Sequence, residues 1–338
     1  MNRRAWLLMA ILAALWGASY LFIKVALDDG VPPVFVVWSR IALGAAVLVA
    51  IALRSGVLDG VRGYLPQIAF MALVQVVGPF LLITLGERDI ASSLAGILVA
   101  SAPIFTALLA VWVDQSERLR GIGLLGIFVG IVGVALLFGI DLSTDTKTLV
   151  GGLMVLLASL GYAIGTHYLK LRLRSVPPLT IAASTMIASA IVLLPLMAFN
   201  LPSQTPSLDA VGSLILLGAG GTGIAFAIFY TLIADVGPTR ASLVAYIAPG
   251  FAVIYGVTLL DEPLTVGGIV GLVLILAGSW LAAEGRVPGR ARIEPVAPLD
   301  PPGPGAVEPE LVSRNGPSRS SAPEPAHAPR SPDASSRL

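Results

Sequence analysis

Up to about position 283 the chain is built of long apolar stretches separated by short polar or Gly/Pro-containing breaks. A helix rising ~1.5 Å per residue needs about 20 apolar residues to cross ~30 Å of hydrocarbon. Ten stretches come near that length, at about 5–27, 33–53, 64–85, 90–112, 120–139, 149–169, 178–199, 208–233, 240–260 and 265–283. The pattern therefore predicts an all-α membrane protein with ten transmembrane helices. The loops around Glu87 and Glu262 are very short.

A second pattern lies over the first. Val31, Pro32 and Pro33 recur 145 residues later as Val176, Pro177 and Pro178, and Glu117, Leu119, Gly123, Gly126 and Gly133 recur as Glu262, Leu264, Gly268, Gly271 and Gly278. The chain is a doubled unit, divided as residues 1–140 and 141–284. Five spans per unit is an odd number, so the second unit enters the bilayer upside down relative to the first. Two inverted five-helix repeats are an architecture of secondary transporters.

Composition agrees with lipid as the solvent. Apolar residues make up 56% of the chain, charged residues 12%, and the mean hydropathy is +0.89, too few charges to cover a soluble surface of this size. The net charge of +1 comes without a basic patch interleaved with aromatics, so no nucleic-acid partner is expected. With no cysteine, disulfides, thiolate metal sites and a cysteine nucleophile are excluded. Arg3 and Arg4 precede the first apolar run, but that run continues past the length of a secretory signal, and we read it as a retained helix.

Loop charges orient the chain. With the N-terminus inside, thirteen basic residues from Arg3 to Arg292 fall on the cytoplasmic side and only Arg88 and Lys147 on the other. Both termini are thus expected in the cytoplasm and the protein in the cell membrane. From about residue 285 to 338 the composition changes to Pro, Ser, Ala, Arg and Glu, and the last 55 residues hold 12 of the 25 prolines. Such a segment buries too little apolar surface to offset its ordering entropy and is expected to be a disordered cytoplasmic tail. Pro301-Pro302-Gly303-Pro304 in it offers a preformed polyproline segment to a tail-binding protein partner.

Motifs now carry a resemblance. Trp16-Gly17-Ala18-Ser19, Arg40, Ala102-Pro103-Ile104-Phe105 and Glu117-Arg118-Leu119 resemble the first half of an EamA-type member of the drug/metabolite transporter superfamily. Ala241-Ser242-Leu243, Ala248-Pro249-Gly250-Phe251-Ala252 and Asp261-Glu262-Pro263-Leu264 resemble its second half. The resemblance implies ten helices in two inverted repeats and movement of small metabolites without ATP hydrolysis, amino acids or their derivatives first among them and export the leading direction. One spacing departs: Ser93 to Pro103 is ten residues, Ser242 to Pro249 seven. The fourth and ninth helices should begin differently.

In this architecture cargo binds near the bilayer midplane between the repeats. Polar and aromatic residues at mid-span are the candidates: Trp16, Ser19, Tyr20, Gln75, Ser101, Tyr162, Thr222 and Tyr246, together with Arg40. Trp16 and Tyr20 share a helical face, as do Ser242 and Tyr246. The alternative role of each is packing, with hydroxyls joining helices and aromatics filling the bundle. Arg40 lies ~10 Å into its helix, where insertion costs about 2.5–3.5 kcal/mol at the centre. It should pair with backbone carbonyls, a helix end or an anionic group on the cargo. Lys24, nearer its helix end, is expected to snorkel.

No Asp or Glu lies at mid-span, so an intramembrane acid relay is not expected. Glu117 and Glu262 each precede a glycine-rich helix and are expected to cap it. Pro79, Pro103, Pro195 and Pro249 should bend their helices, and Gly126, Gly130, Gly267 and Gly271 should allow close helix contact. No metal-ligand spacing, catalytic constellation or cofactor motif stands out, which argues against an enzyme. The sequence thus points to a carrier of small polar cargo in the lipid bilayer. A low-specificity drug efflux carrier is the main alternative, and a passive channel is weaker.

Overall fold

A computed structural model of the chain describes residues 1–55, 61–113, 121–140 and 145–284. Glu117 and the Pro-rich tail lie outside the described residues. Among those described, the secondary structure is helical: α1 (Arg3–Asp28), α2 (Pro33–Arg54), α3 (Leu65–Gly86), α4 (Ser92–Ala110), α5 (Ile122–Gly139), α6 (Thr146–Arg172), α7 (Pro178–Ala198) and α8 (Leu208–Val236) are long and apolar enough to cross a membrane. Two shorter apolar helices follow, α9 (Val244–Leu259) and α10 (Val266–Ala282). Exposed Leu, Ile, Val or Phe on every long helix except α4 face outward, as a lipid solvent requires.

The helices pack in a pattern that maps onto itself when the halves are exchanged. Helix α1 packs on α8 and α9, and its counterpart α6 packs on α3 and α4. Helix α2 meets α8 as α7 meets α3, while α2–α7, α4–α9 and α5–α10 pair with their own counterparts. The α5–α10 contact is the tightest. A methyl added at Gly126 would lie 2.8 Å from the Gly278 carbonyl oxygen, and one at Gly133 would lie 3.1 Å from that of Gly271, so the backbones touch where only glycine fits.

Two helices widen at equivalent places. Ala72–Val77 in α3 and Leu216–Ile224 in α8 are π-helical turns, and the repeat distance of 145 carries the first onto the second. Pro79 supplies a cause in α3, because its missing N–H and its ring disturb the preceding turn. In α8 the run Gly218-Ala219-Gly220-Gly221-Thr222-Gly223 weakens α-helical geometry.

The fourth and ninth helices do start differently. Helix α4 runs from Ser92 to Val99, breaks at Ala100 and Ser101, and resumes at Ala102 with Pro103 in its first turn. In the second half a short turn of helix, Pro238–Ala241, precedes the break, and Pro249 sits inside α9. Carbonyls freed by the break in α4 are taken up by hydroxyls: Ser279 donates to Ala100 (2.9 Å), and Ser101 and Ser159 to Leu98 (2.6 and 3.3 Å).

Candidate functional site

Arg40 is buried where α2 crosses α8. Gly44, one turn on, has no room for a methyl against the Thr222 side chain, and Gly218 faces Leu43 and the Arg40 backbone. That close approach brings Arg40 Nε within 3.0 Å of Thr222 Oγ1, to which it donates. Thr222 in turn donates to the Leu217 carbonyl, five residues back in the π-turn register (3.0 Å). The guanidinium carbon lies 3.8 Å from the ring centroid of Phe80 on α3, a cation–π contact worth about 2 kcal/mol when desolvated. Partners thus come from a hydroxyl and a ring, not from the carbonyls the sequence suggested.

Tyr20 from α1 and Tyr162 from α6 lie within electrostatic reach of Arg40. Both are half-buried. The structure therefore brings Tyr20, Arg40, Tyr162 and Thr222 together, with Phe80 added. These residues come from α1, α2, α6, α8 and α3, so both halves contribute.

The other candidates are placed elsewhere. Trp16 belongs to an aromatic group with Phe226 and Phe229 (centroids 6.1 and 5.3 Å away), extended by Tyr230. Ser19 is buried, donates to the Leu15 carbonyl (3.2 Å) and packs against Gly221. Ser101 serves the break in α4. Tyr246 reaches the Ser279 carbonyl on α10 (3.4 Å). Gln75, in the π-turn of α3, lies against Gly165, and its buried Oε1 has no hydrogen-bond partner.

One end of the bundle holds a charged group that sequence reasoning left in a loop. Glu87 caps the C-terminus of α3 just past the spanning segment and is fully buried. Neither carboxyl oxygen has a hydrogen-bond partner. Burial pushes its carboxyl well above the usual carboxylate range; Lys24 and Arg40 pull it down, and Glu262 and Asp28 push it further up. Lys24 does not simply snorkel: its Nζ donates to the Glu87 carbonyl (3.0 Å), a cation at a helix C-terminus, and lies 3.9 Å from Asp28.

Glu262 caps a helix, but not the one that follows it. Its Oε1 and Oε2 accept from the Ser92 and Ser93 N–H groups at the start of α4 (2.6 and 2.9 Å). Asp261, at φ 53°, turns the chain back, and the Glu262 N–H bonds the Gly256 carbonyl (3.0 Å). The carboxylate is aimed across the bundle by that reversal.

The profile of the EamA-like transporter family matches residues 4–139 and 149–283. The chain belongs to the EamA-like transporter family. As an EamA protein it is a multi-pass membrane transporter, and it resembles other members at moderate identity. The uncharacterized transporter YoaV of Bacillus subtilis is 26% identical over 272 residues, 79% of this chain and 92% of YoaV. An uncharacterized transporter of Archaeoglobus fulgidus is 24% identical over 286 residues, 84% of this chain and all of that protein. A probable amino-acid metabolite efflux pump of Escherichia coli is 26% identical over 299 residues, 84% and 96% of the two chains. A solved crystal structure, 20% identical, covers 83% of this chain and 98% of its own with a TM-score of 0.60, a likeness of fold.

Within this EamA chain, Phe80, the burial of Glu87, Phe229 and both π-turns escaped sequence reasoning, while Phe226 was legible only as sharing a helical face with Thr222. A signal existed for one of these: the glycine cluster beside Thr222 marks a helix under local strain.

Proposed function

We propose that the chain is a secondary carrier moving small polar metabolites, amino acids or their derivatives, outward across the cell membrane by alternating access between two inverted halves. The observation that carries this reading is the enclosed cluster of Arg40, Thr222, Tyr20 and Tyr162, built from both halves. A guanidinium fixed at Nε and stacked on Phe80 presents its remaining N–H edge to a carboxylate, with phenol hydroxyls alongside.

Ten crossings follow if α9 and α10 also span. Inversion is supported by contacts at the Glu87 end, where α1 and α3 finish and α6 and α8 start: Thr148 on α6 donates to the Asp89 carbonyl (3.3 Å), and the Ser207 N–H before α8 donates to Asp29 (2.9 Å). Loop charges support a reading with this end outside and both termini in the cytoplasm. The relative named as an amino-acid metabolite efflux pump supports the cargo class and the direction.

Purified protein in liposomes should exchange radiolabelled threonine or phenylalanine against the same unlabelled solute, and Arg40→Gln should lose that exchange while remaining folded. Wild type that exchanges neither amino acid overturns the cargo assignment. The group around Trp16, Phe226, Phe229 and Tyr230 favours a second reading, low-specificity efflux of aromatic cations. In that case a cationic dye is exchanged and Arg40→Gln exchanges it as well as wild type.

A further inference from the structure

The Glu87 carboxyl is buried on every side, yet neither oxygen is bonded. A group held for its packing would be apolar, and a structural ion would be paired, because an isolated carboxylate away from water is strongly disfavoured. Every charged neighbour also fails to neutralise it directly. Lys24 on α1 spends its ammonium on the Glu87 backbone carbonyl and on Asp28. Arg40 on α2 is directed to Thr222 and Phe80. Glu262, after α9, has both oxygens on the start of α4. Tyr20 on α1 lies within electrostatic reach of it, and α6, packed on α3 through Gly86 and Gly151, carries no Asp, Glu, Lys or Arg from Gly151 to Gly165.

We propose that Glu87 is a proton-linked latch of this transporter, holding a proton while its end of the bundle is closed and releasing it to water when that end opens. The inference rests on the carrier reading above. Three features place the residue to sense closure. It caps the C-terminus of α3, five residues before the N–H groups that Glu262 clamps, and the Lys24 bond ties that cap to α1. Moving α1 or the Glu262 loop away opens a water path to the carboxyl. The uncharged acid then becomes a carboxylate and a hydronium ion, with Lys24 and Arg40 near enough to favour the anion. Reclosing on the dry side requires a proton to return, or an ion is buried unpaired. The proton leaves to, and returns from, water on the same face, so none crosses the membrane; what the cycle gives is an opening of that end that becomes easier as pH there rises.

Two measurements on the full chain in liposomes test the idea. Infrared difference spectra over a pH titration should show a protonated carboxyl band at neutral pH that Glu87→Gln removes; absence of that band in wild type overturns the proposal whether or not transport is seen. Raising the pH on the Glu87 face by one unit should speed exchange of labelled threonine or phenylalanine by up to about tenfold, because opening releases one proton. Glu87→Gln should abolish this pH dependence while still exchanging labelled for unlabelled amino acid, and Glu87→Asp should restore part of it. A pH dependence in Glu87→Gln equal to wild type, no pH dependence in wild type, or loss of exchange in a folded Glu87→Gln protein would each overturn the assignment. Failure of exchange in wild type counts against the cargo reading instead, and the infrared band then decides on Glu87 alone.

Discussion

Two glutamates sit at the same end of this bundle and have opposite surroundings. Glu262 is half-exposed, and each of its oxygens receives a backbone N–H from α4. Glu87 is fully buried, and neither oxygen receives anything. Residue type, sequence context beside a short loop and distance from the helix ends are nearly the same, so the difference lies in what the rest of the fold turns toward each carboxyl. Glu262 meets a helix N-terminus, where orphan N–H groups and the helix dipole hold a negative charge. Glu87 meets a helix C-terminus, its own, where the dipole opposes one. The first is a tie between the halves of the chain, and the second is a group kept for its proton.

Removing the tie should have the largest effect. Glu262→Ala leaves the Ser92 and Ser93 N–H groups unpaired and removes two charge-assisted bonds, a loss of about 2–4 kcal/mol. Thermal unfolding in detergent should show the drop, and Glu262→Gln, which keeps one acceptor, should recover part of it. If Glu262→Ala melts with wild type, the contrast between the two glutamates collapses.

Thr222→Val comes next. It keeps the shape of the α8 turn but withdraws the acceptor from Arg40 Nε, leaving a buried cation with the Phe80 ring and losing about 1.5–3 kcal/mol. In the proposed carrier it should also weaken amino-acid exchange, because the guanidinium is no longer held in one orientation. Wild-type exchange in Thr222→Val would place the cargo away from Arg40.

Glu87→Gln should differ from both in sign. Burial raises its folded-state carboxyl well above 4.5, the ordinary value. From about 4.5 upward to that raised value the folded protein then binds one proton more than the unfolded chain, so stability falls as pH rises through the window, by up to about 1.4 kcal/mol per pH unit. Glu87→Gln should flatten that slope and melt no lower than wild type at neutral pH. A slope unchanged in Glu87→Gln would show that another group binds the proton.

The sequence made some of this legible and could not make the rest so. Helices, the doubled unit and the glycine contact of α5 with α10 are written in local periodicity and in a repeat of 145 residues, signals that survive without knowledge of neighbours. Arg40 was readable as a buried charge because its depth in α2 follows from counting. Its partners were not, since Thr222 and Phe80 lie on helices whose rotation is set by packing. Glu262 was readable as a cap, yet the capped helix was not the adjacent one, because the backward turn at Asp261 depends on one left-handed residue. Glu87 looked like a loop residue for the same reason: burial at a helix end is decided by α1 and α6, which no local pattern reports.

A third acid measures how far a cap's reach matters. Asp145 begins α6 as Glu262 begins α4, accepting from the Thr148 N–H (2.9 Å) and the Thr148 hydroxyl (3.0 Å), but it does so within its own helix and in full contact with solvent. These hydrogen bonds hold its carboxyl below the usual range. Its contribution to stability is therefore present at neutral pH and lost as pH falls through that lowered value, opposite in direction to Glu87. Asp145→Ala should lower the melting temperature at neutral pH by less than Glu262→Ala, since water replaces the lost acceptor at an exposed helix start while nothing replaces a contact between halves. The deficit should vanish in acid. If Asp145→Ala instead costs as much as Glu262→Ala, then capping alone explains Glu262, and the bond across the bundle adds nothing to the closed end that Glu87 is proposed to sense.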